Sequence, residues 1–335
     1  MTIAAPPFGP AIPSVASGAP RPRWSVMIPT YNCAGFLEQA LTSVLAQDPG
    51  PDMMQIEVVD DASSDDPQAV VAHMGGTRVG FHRRQRNLGV SRNLTDCIRR
   101  ARGEIVHILH GDDAVLPGFY AAMDRAFAAH PDLGAGFCRQ IFMNSQGRRQ
   151  GIGPLELDSS GVLPDAAAHL AAEQRIMTPS ICVRRQAYER LGGFLDSLVC
   201  AEDWEMWVRI AAYYPIWYET EPLALYRMHD DSNTGRHVRT GEDIAYTAQA
   251  IDLITRHLPA DRAGSVAARA RYTYACSALL IAERAFVRGD IATARAQLRG
   301  ALALSRSPRV LIDAGVSISR ALLRRALGRG REGAA

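Results

Sequence analysis

The sequence contains no lysine, so all 37 of its basic side chains are arginines. This absence excludes any mechanism that needs a lysine amine, such as a Schiff base or the lysine of a phosphate-binding loop. We favour a GC-rich coding bias as its cause. The net charge is only +2, because 35 acidic residues balance the arginines.

Cysteine pairs and long apolar runs are missing as well. The six cysteines are scattered without a C-x-x-C pair, which argues against a zinc site or a disulfide framework and favours a reducing cytoplasm. Without a run of about 20 apolar residues, we expect no segment that spans a bilayer. Residues 1–23 are rich in Pro, Ala and Gly and lack the features of a signal peptide, so they are predicted to form a disordered leader.

The 335 residues, 47% of them hydrophobic, suffice for one large domain and an appendage. Between Trp24 and about His130, short apolar strands alternate with segments of helical spacing. This rhythm predicts an α/β fold with a doubly wound, mostly parallel sheet and flanking helices. The predicted strands of this part are Ser25–Ile28, Gln55–Val59, Val79–His82 and Ile105–Leu109.

A second block of strands and short helices follows, and Ala- and Arg-rich helices follow that. In the second block, Asn144–Asp165 is predicted to be a loop or hairpin insert, and two short strands are expected near Ile216–Tyr218 and Leu223–Tyr226. We therefore divide the chain into a domain over residues 24–238, with halves 24–130 and 131–238, and an all-α region over residues 239–335.

Two acidic clusters, at residues 59–63 and 110–113, each close an apolar run predicted to be a buried strand. Carboxylates at the C-terminal ends of parallel strands lie where open α/β sheets bind ligands. Paired carboxylates there are hard oxygen ligands, suited to a divalent cation that carries a diphosphate. The layout predicts an enzyme that uses a nucleotide-activated substrate.

Five short motifs follow one another between residues 24 and 235. They are VMIPTYN at Val26–Asn32, VVDDAS at Val58–Ser63, NLGVSRN at Asn87–Asn93, RGEI at Arg102–Ile105 leading to Gly111–Asp113, and AEDWEMW at Ala201–Trp207. In this order the set resembles the motifs of family 2 glycosyltransferases. The resemblance implies a GT-A fold, a nucleoside-diphosphate sugar as donor, and usually Mg²⁺ or Mn²⁺ as cofactor.

The first motif is expected to surround the nucleotide with Pro29, Thr30 and Tyr31. A proline at the end of a strand removes a ladder donor, and an exposed tyrosine offers an aromatic face on which a nucleobase stacks. The alternative is an ordinary strand-to-helix turn in which Asn32 caps the next helix.

Asp60, Asp61 and Arg92 complete the predicted nucleotide site. Asp60 is placed to accept a hydrogen bond from the base or ribose, with Asp61 close behind, although acidic residues before a helix also serve as caps. Arg92 follows a glycine turn and opens a helix, where its guanidinium is expected to bind base carbonyls or phosphates rather than water alone.

The resemblance makes Asp112 the chief metal ligand and places Asp113 beside the nucleotide. His110 departs from the family, which usually has an aspartate at that position. One interpretation is that His110 replaces this aspartate, either as a hydrogen-bond donor to the ribose or as a softer metal ligand that favours Mn²⁺. The other is that His110 is a structural residue and that the affinity of the site for metal is lower. The segment Tyr226–His229 is similar to the family's late Y-R-x-H motif. The resemblance implies that His229 reaches the metal or the diphosphate. The alternative is that His229 is a histidine of a surface loop.

Asp203 resembles the family's catalytic base. Inverting transfer requires one carboxylate to take the proton of the acceptor hydroxyl while that oxygen attacks the anomeric carbon. Acidic residues in the first turn of a helix are also common partners of the helix dipole, which is the alternative for Asp203 and its neighbour Glu202.

These features together predict a metal-dependent, inverting glycosyltransferase, with a UDP-sugar as the favoured donor. The acceptor is expected to be a glycan, a lipid-linked molecule or a protein, and no nucleic acid is expected as a partner. The alternatives are a non-catalytic nucleotide-sugar binder or scaffold, and a retaining transferase on the same fold.

The C-terminal segment is basic and partly amphipathic. One interpretation of the predicted helix Arg309–Leu327 is a peripheral contact with an anionic membrane, on the inner face of the cell membrane. The other is a helix that packs on the preceding hairpin and exposes its arginines to water. The arginines concerned are Arg306, Arg309, Arg320, Arg324, Arg325, Arg329 and Arg331.

Overall fold

The structure, a computed structural model, describes residues 8–16, 18–19, 21–228 and 233–332. The described chain forms two compact units. The first contains the residues up to Ala167 together with Gln174–Met228, and the second contains Ala168–Glu173 and the residues from Asn233 onward. Within these ranges no helix combines the length and the apolar character that crossing a membrane requires.

The first unit is built on a sheet of ten strands. They are β1 Trp24–Thr30, β2 Met54–Asp60, β3 Gly80–Arg83, β4 Ile105–Ile108, β5 Ala114–Val115, β6 Ala135–Met143, β7 Arg149–Ile152, β8 Gly161–Val162, β9 Ile181–Arg184 and β10 Ile216–Arg227. The strand order is β3-β2-β1-β4-β9-β6-β10-β5, while β7 pairs with β6 and β8 with β10.

Within the described residues, twelve α-helices accompany the strands. They are α1 Ala34–Leu45, α2 Pro67–Gly75, α3 Val90–Arg100, α4 Phe119–Ala129, α5 Ala166–Ala172, α6 Arg185–Leu191, α7 Glu202–Ala211, α8 Asn233–Thr240, α9 Glu242–Ile254, α10 Ala260–Val287, α11 Ile291–Leu304 and α12 Pro308–Glu332. Short 3-10 turns cover Thr178–Ser180 and Thr255–His257.

The parallel part of the sheet consists of β3, β2, β1 and β4. Every residue of β1 is buried, as expected for a parallel strand covered on both faces. Val26 and Ile28 belong to a core cluster that also contains side chains of α1, α2 and α4. The remaining helix of this part, α3, contacts β1, β2 and β4. The predicted α/β fold with flanking helices is confirmed.

The other part of the sheet is mixed. β9 runs antiparallel between β4 and β6, whereas β10 runs parallel to β6 and antiparallel to β5. The two short strands predicted over Ile216–Tyr218 and Leu223–Tyr226 are one strand, whose register against β6 shifts on either side of Pro222. A proline that cannot donate to the ladder is tolerated at such an irregularity. The strand therefore continues to Arg227.

The insert predicted over Asn144–Asp165 contains a hairpin. β7 folds back antiparallel on β6, through a turn in which the Gly147 N–H donates to the Asn144 carbonyl at 2.9 Å. β8 pairs antiparallel with β10. The hairpin alternative of the prediction is therefore the correct one for its first half.

The prediction of a disordered leader over residues 1–23 is wrong for residues 8–13. The Phe8 N–H donates to the Leu191 carbonyl at 3.1 Å, and the Gly193 N–H donates to the Pro10 carbonyl at 2.8 Å. Ile12 is buried in the same region. Composition suggested disorder, but these backbone groups find partners in a glycine turn that lies far away in sequence.

The second unit confirms the all-α region, which includes a helix that was not predicted. α8 begins at Asn233, in a polar stretch without apolar periodicity. It is held by α11, where the Gln297 amide donates to the Val238 carbonyl at 2.7 Å and to Asp243 at 2.8 Å. The helical region therefore begins before residue 239, where the sequence placed it.

A buried ion pair stabilises α7, the helix that begins beside Asp203. Arg209 donates to Glu205 at 2.7 Å, and both side chains are almost fully buried. The guanidinium also donates to the carbonyls of Leu191 and Gly193, at 2.9 and 3.0 Å. This pair links α7 to the glycine turn that holds residues 8–13.

We expect Glu205→Gln to lower the free energy of unfolding by about 3 kcal/mol, because it leaves the buried Arg209 charge uncompensated. Urea unfolding followed by tryptophan fluorescence measures the loss, since Trp204 and Trp207 lie on the same helix. The control is Asp124→Asn, which breaks the part-exposed ion pair with Arg23 and is expected to cost about 1 kcal/mol or less. Equal losses in the two variants would contradict the importance of burial.

Candidate active site

The acidic cluster lies on the turn that carries the chain from β4 to β5. At its start, the Gly111 N–H donates to the Pro29 carbonyl at the end of β1, at 3.1 Å. A Cβ atom on Gly111 would lie 2.7 Å from Thr30 Cγ2 and 2.9 Å from Cys33 Sγ. Only glycine therefore lets the turn approach β1 this closely.

His110, Asp112 and Asp113 each offer one ligand atom, and these atoms all lie within 4.8 Å of one another. Asp113 Oδ2 and His110 Nε2 are buried without a hydrogen-bond partner. Burial, reinforced by the charge of Asp112, raises the pKa of Asp113 well above its usual value. A divalent cation would satisfy both orphaned atoms and neutralise the two carboxylates, so this donor set fits a metal ion.

Cys33, which also faces this turn, does not belong to the donor set. Burial and the charge of Asp112 raise the pKa of its thiol to about 12. Its Sγ atom is not among the ligand atoms that lie within 4.8 Å of one another.

Arg227, at the end of β10, holds the acidic turn in place. Its backbone N–H donates to Asp113 Oδ1 at 2.7 Å, and its guanidinium Nε donates to the Asp112 carbonyl at 2.7 Å. The guanidinium carbon lies 4.5 Å from the centre of the Phe36 ring. Its other acceptors are the carbonyls of Asn144 and Ser145 and the side chain of Gln39.

Asp203 lies in the first turn of α7, where polar side chains orient its carboxylate. The Gln174 amide donates to both oxygens, at 3.0 and 2.9 Å, and the Thr178 hydroxyl donates to one of them at 3.2 Å. Burial raises the pKa of Asp203, and the nearby His110 partly offsets this rise. A carboxylate with a raised pKa is suited to accept a proton near neutral pH.

The Tyr226 phenol is close enough to both the acidic turn and Asp203 to interact with their charges. Burial raises its pKa, and the negative charges of Asp113 and Asp203 raise it further, because phenolate would face both. Asp112 and Glu202 act on it in the same direction. The metal-ligand candidates and the base candidate therefore all lie close to Tyr226.

Three non-glycine residues beside the site have left-handed backbone conformations. Asn32 (φ 52°), Ala62 (φ 61°) and Ala201 (φ 64°) lie next to the first, second and last motifs. This conformation costs an L-residue about 1–2 kcal/mol, and such strain is concentrated at functional sites. At each position the left-handed residue turns the chain next to a candidate site residue, which is Tyr31, Asp61 or Asp203.

Asp60 and Asp61 both support the loops around the predicted nucleotide site. Asp60 is fully buried, accepts hydrogen bonds from the Ser63 N–H and hydroxyl, and lies 3.4 Å from the Arg83 guanidinium. Asp61 accepts from the N–H groups of Leu88 and Gly89, at 3.0 and 2.9 Å. Their contact with a base or ribose stays a prediction, to which the structure adds a positioning role.

The first motif ends at the same edge of the sheet as the acidic turn. Thr30 is buried and donates to Asp60 at 3.4 Å, whereas Tyr31 is 44% exposed. The alternative interpretation, in which Asn32 caps α1, is wrong. Its side chain instead accepts from Ser64, while Asp65 accepts from the Ala34 N–H at the start of the helix. The stacking of Tyr31 on a base stays a prediction.

Arg92 lies apart from these contacts. Arg92 is exposed on α3 and donates to Asp196 at 2.8 Å, so a ligand would have to compete with this ion pair. His229, the second predicted metal ligand, lies outside the described residues. The structure therefore provides His110, Asp112 and Asp113 as the candidate metal ligands.

Sequence reasoning missed the residues that orient the site. Gln174 and Thr178 belong to a stretch without a recognised motif, and nothing in their spacing points to Asp203. The role of Arg227 could have been predicted from the sequence, because Arg227 belongs to the segment Tyr226–His229. An arginine at the end of a predicted strand facing two acidic clusters is a candidate partner for them.

Comparisons with known proteins establish the family. The model of the family described as glycosyl transferase family 2 matches residues 25–191. An uncharacterized protein of Mycobacterium tuberculosis is 30% identical over 243 residues, which cover 69% of this chain and 75% of that protein. The chain therefore belongs to glycosyl transferase family 2, as the five motifs predicted, and is a glycosyltransferase.

Two solved structures share the fold. S. aureus TarS 1–349 in complex with UDP-GlcNAc has a TM-score of 0.63 at 16% identity, covering 92% of each chain. The mannosyltransferase PcManGT from Pyrobaculum calidifontis in complex with GDP-Man and Mn²⁺ has a TM-score of 0.52 at 21% identity, covering 96% of this chain and 90% of the other. The expected GT-A fold is confirmed.

We expect Gly111→Ala to weaken Mn²⁺ binding by about tenfold or more, because the new methyl group pushes the acidic turn away from Thr30 and Cys33. Isothermal titration calorimetry measures the affinity. The control is Gly35→Ala, since a Cβ atom at Gly35 meets no atom within 4 Å. If both variants bind Mn²⁺ like the unchanged protein, the close approach of the turn has no bearing on the metal site.

Proposed function

We propose that this glycosyltransferase is inverting and metal-dependent, and that it transfers a glycosyl group from a UDP-sugar to a hydroxyl of a glycan, lipid-linked or protein acceptor. The observation that carries the proposal is the proximity of two groups to Tyr226. One is a donor set suited to a divalent cation, and the other is a separate, oriented carboxylate on Asp203. An inverting reaction needs these two parts at one anomeric carbon.

Mg²⁺ or Mn²⁺ would be held by Asp112 with Asp113 and His110. When bound, the ion stabilises the negative charge that develops on the departing nucleoside diphosphate. The imidazole of His110 is a softer ligand than carboxylate and favours Mn²⁺ over Mg²⁺. Arg227 holds the Asp113 carboxylate through its backbone N–H and holds the main chain at Asp112 through its guanidinium.

Asp203 acts as the general base. Its carboxylate takes the proton of the acceptor hydroxyl while that oxygen attacks the anomeric carbon from the face opposite the diphosphate. Gln174 and Thr178 hold the carboxylate in one orientation, which reduces the entropy lost on reaching the transition state. Burial raises the pKa of Asp203, which makes its carboxylate a stronger base than an exposed one.

The donor is bound at the edge of the sheet that carries Tyr31, Asp60 and Asp61. The exposed Tyr31 ring stacks on the base, and Arg92 binds the donor after giving up Asp196. The two structural neighbours, in complex with UDP-GlcNAc and GDP-Man, support a nucleotide-sugar donor. The contact of the basic C-terminal helix with a membrane is a separate proposal, because it rests on residues of the helical unit.

We expect Asp203→Asn to lower the transfer rate by about 10²- to 10⁴-fold with little change in donor affinity, because an amide of the same shape cannot accept the proton. Glu202→Gln is the matched control, since it removes the neighbouring carboxylate and leaves the proposed base intact. The assay follows release of nucleoside diphosphate from a panel of UDP-, GDP- and dTDP-sugars. Normal turnover by Asp203→Asn would remove this residue from the mechanism.

We expect Asp112→Ala to abolish the metal-dependent part of donor binding, whereas His110→Asp preserves it and improves it with Mg²⁺. Changes outside the ligand shell already cost about 10- to 100-fold in metal affinity, so loss of a direct ligand exceeds that. Calorimetry of UDP binding with and without each ion measures both effects. A full Mn²⁺ effect in Asp112→Ala would contradict the metal assignment.

The same measurements separate the enzyme from a non-catalytic nucleotide-sugar binder. A binder would show metal-dependent UDP binding but no sugar transfer with any donor and acceptor. The oriented carboxylate of Asp203 favours the enzyme, because a binder has no use for a base at this site. Proton NMR of the first-formed product distinguishes inversion from retention of the anomeric configuration.

A further inference from the structure

The long helix α12 has one face against the helical unit and another exposed to solvent. Val310 and Ala314 are buried, and the Ser317 hydroxyl donates to the Leu279 carbonyl of α10 at 3.2 Å. At 3.6 residues per turn, positions 310, 314 and 317 share one side of the helix. This side anchors α12 to α10.

The opposite side of α12 is apolar and exposed. Ile312 is 66% and Leu323 is 61% accessible, and Gly315 and Ser319 between them carry no bulky group. Isolated exposed apolar residues need no explanation, but a contiguous apolar surface marks an interaction site. The exposed large apolar residues of the helix are Leu311, Ile312, Val316, Ile318, Leu322 and Leu323.

Positive charge borders this apolar side. Arg309 and Arg320 are exposed and lie next to it on the helix, and exposed Arg306 precedes the helix. The acidic residue Asp313 faces inward, where it accepts a hydrogen bond from the Tyr272 hydroxyl of α10 at 3.2 Å. The outer face of the helix is therefore apolar with a cationic edge.

An apolar cavity adjoins the same face. A space of about 250 Å³ lies between α10, α11 and α12, and its walls are mainly apolar. Ile318 and Leu322 line this cavity and are also among the exposed residues of α12. An acyl chain that meets the exposed face would find an apolar recess beside it.

We infer that α12 is a membrane-docking surface for anionic lipid. A helix with an apolar face and arginines at its border lies in the plane of the membrane interface, with the apolar side chains among the acyl chains and the cations among anionic headgroups. A second copy of this chain fits less well, because pairing the two faces would bring arginines of like charge together. The docking surface belongs to the helical unit and does not depend on the proposed activity.

Flotation of the full-length protein with lipid vesicles tests this inference. The protein is expected to float with mixed phosphatidylcholine–phosphatidylglycerol vesicles and to remain in the dense fraction with phosphatidylcholine alone. The variant Ile312→Glu/Leu323→Glu is expected to reduce the bound fraction by about tenfold or more, since carboxylates replace the inserted side chains. Arg309→Gln/Arg320→Gln is expected to weaken binding by about fivefold for each arginine removed and to lessen its dependence on salt.

Leu155→Glu is the control, because Leu155 is also an exposed leucine, 53% accessible against 61% for Leu323, but lies in the first unit. It should bind vesicles like the unchanged protein, and circular dichroism and melting temperature should be the same for all variants. Equal binding of Ile312→Glu/Leu323→Glu, equal binding to neutral vesicles, or no binding at all would overturn the inference. Self-association that this variant abolishes, without vesicle binding, would assign the face to a second copy instead.

Discussion

The contacts of Arg227 determine where the acidic cluster lies. Two carboxylates on one short turn repel each other, and burial of Asp113 raises the cost of its charge. Arg227 offsets part of this cost from the end of β10, through its backbone N–H to Asp113 and its guanidinium to the Asp112 carbonyl. The remaining buried oxygen of Asp113 and the buried Nε2 of His110 have no hydrogen-bond partner, and a divalent cation would satisfy both atoms.

The fold was predictable wherever periodicity and turn chemistry agreed. The parallel strands, their helices and the C-terminal helical region follow from apolar spacing, which depends on local burial alone. Two predictions, for residues 8–13 and for β10, were wrong for the same reason, which is hydrogen bonding between backbone segments far apart in sequence. Residues 8–13 are ordered by the turn around Gly193, and β10 continues past Pro222 because β6 offers partners on both sides of the irregularity. Composition and local propensity cannot contain such information.

The candidate site was predictable only where a motif carried it. Asp112, Asp113 and Asp203 stand in recognised motifs, and the structure brings all three close to Tyr226. Arg227 and Gln174, which orient them, act from β10 and from a segment without a motif. The hydrogen bonds that Asp61 accepts from Leu88 and Gly89 could not be predicted either, because they connect two motifs that are separate in sequence. Pairwise contacts of this kind require the fold.

We propose that the acidic turn held by Arg227 binds the metal and the diphosphate close to Asp203. Crystals grown with UDP and Mn²⁺ and measured at the manganese absorption edge would show where the ion binds. We expect an anomalous peak in contact with the Asp112 carboxylate and the diphosphate, with the contacts of Arg227 to the turn retained. A manganese ion bound elsewhere, or UDP bound beside Asp203 with no metal at saturating Mn²⁺, would show that the acidic turn is not the metal site.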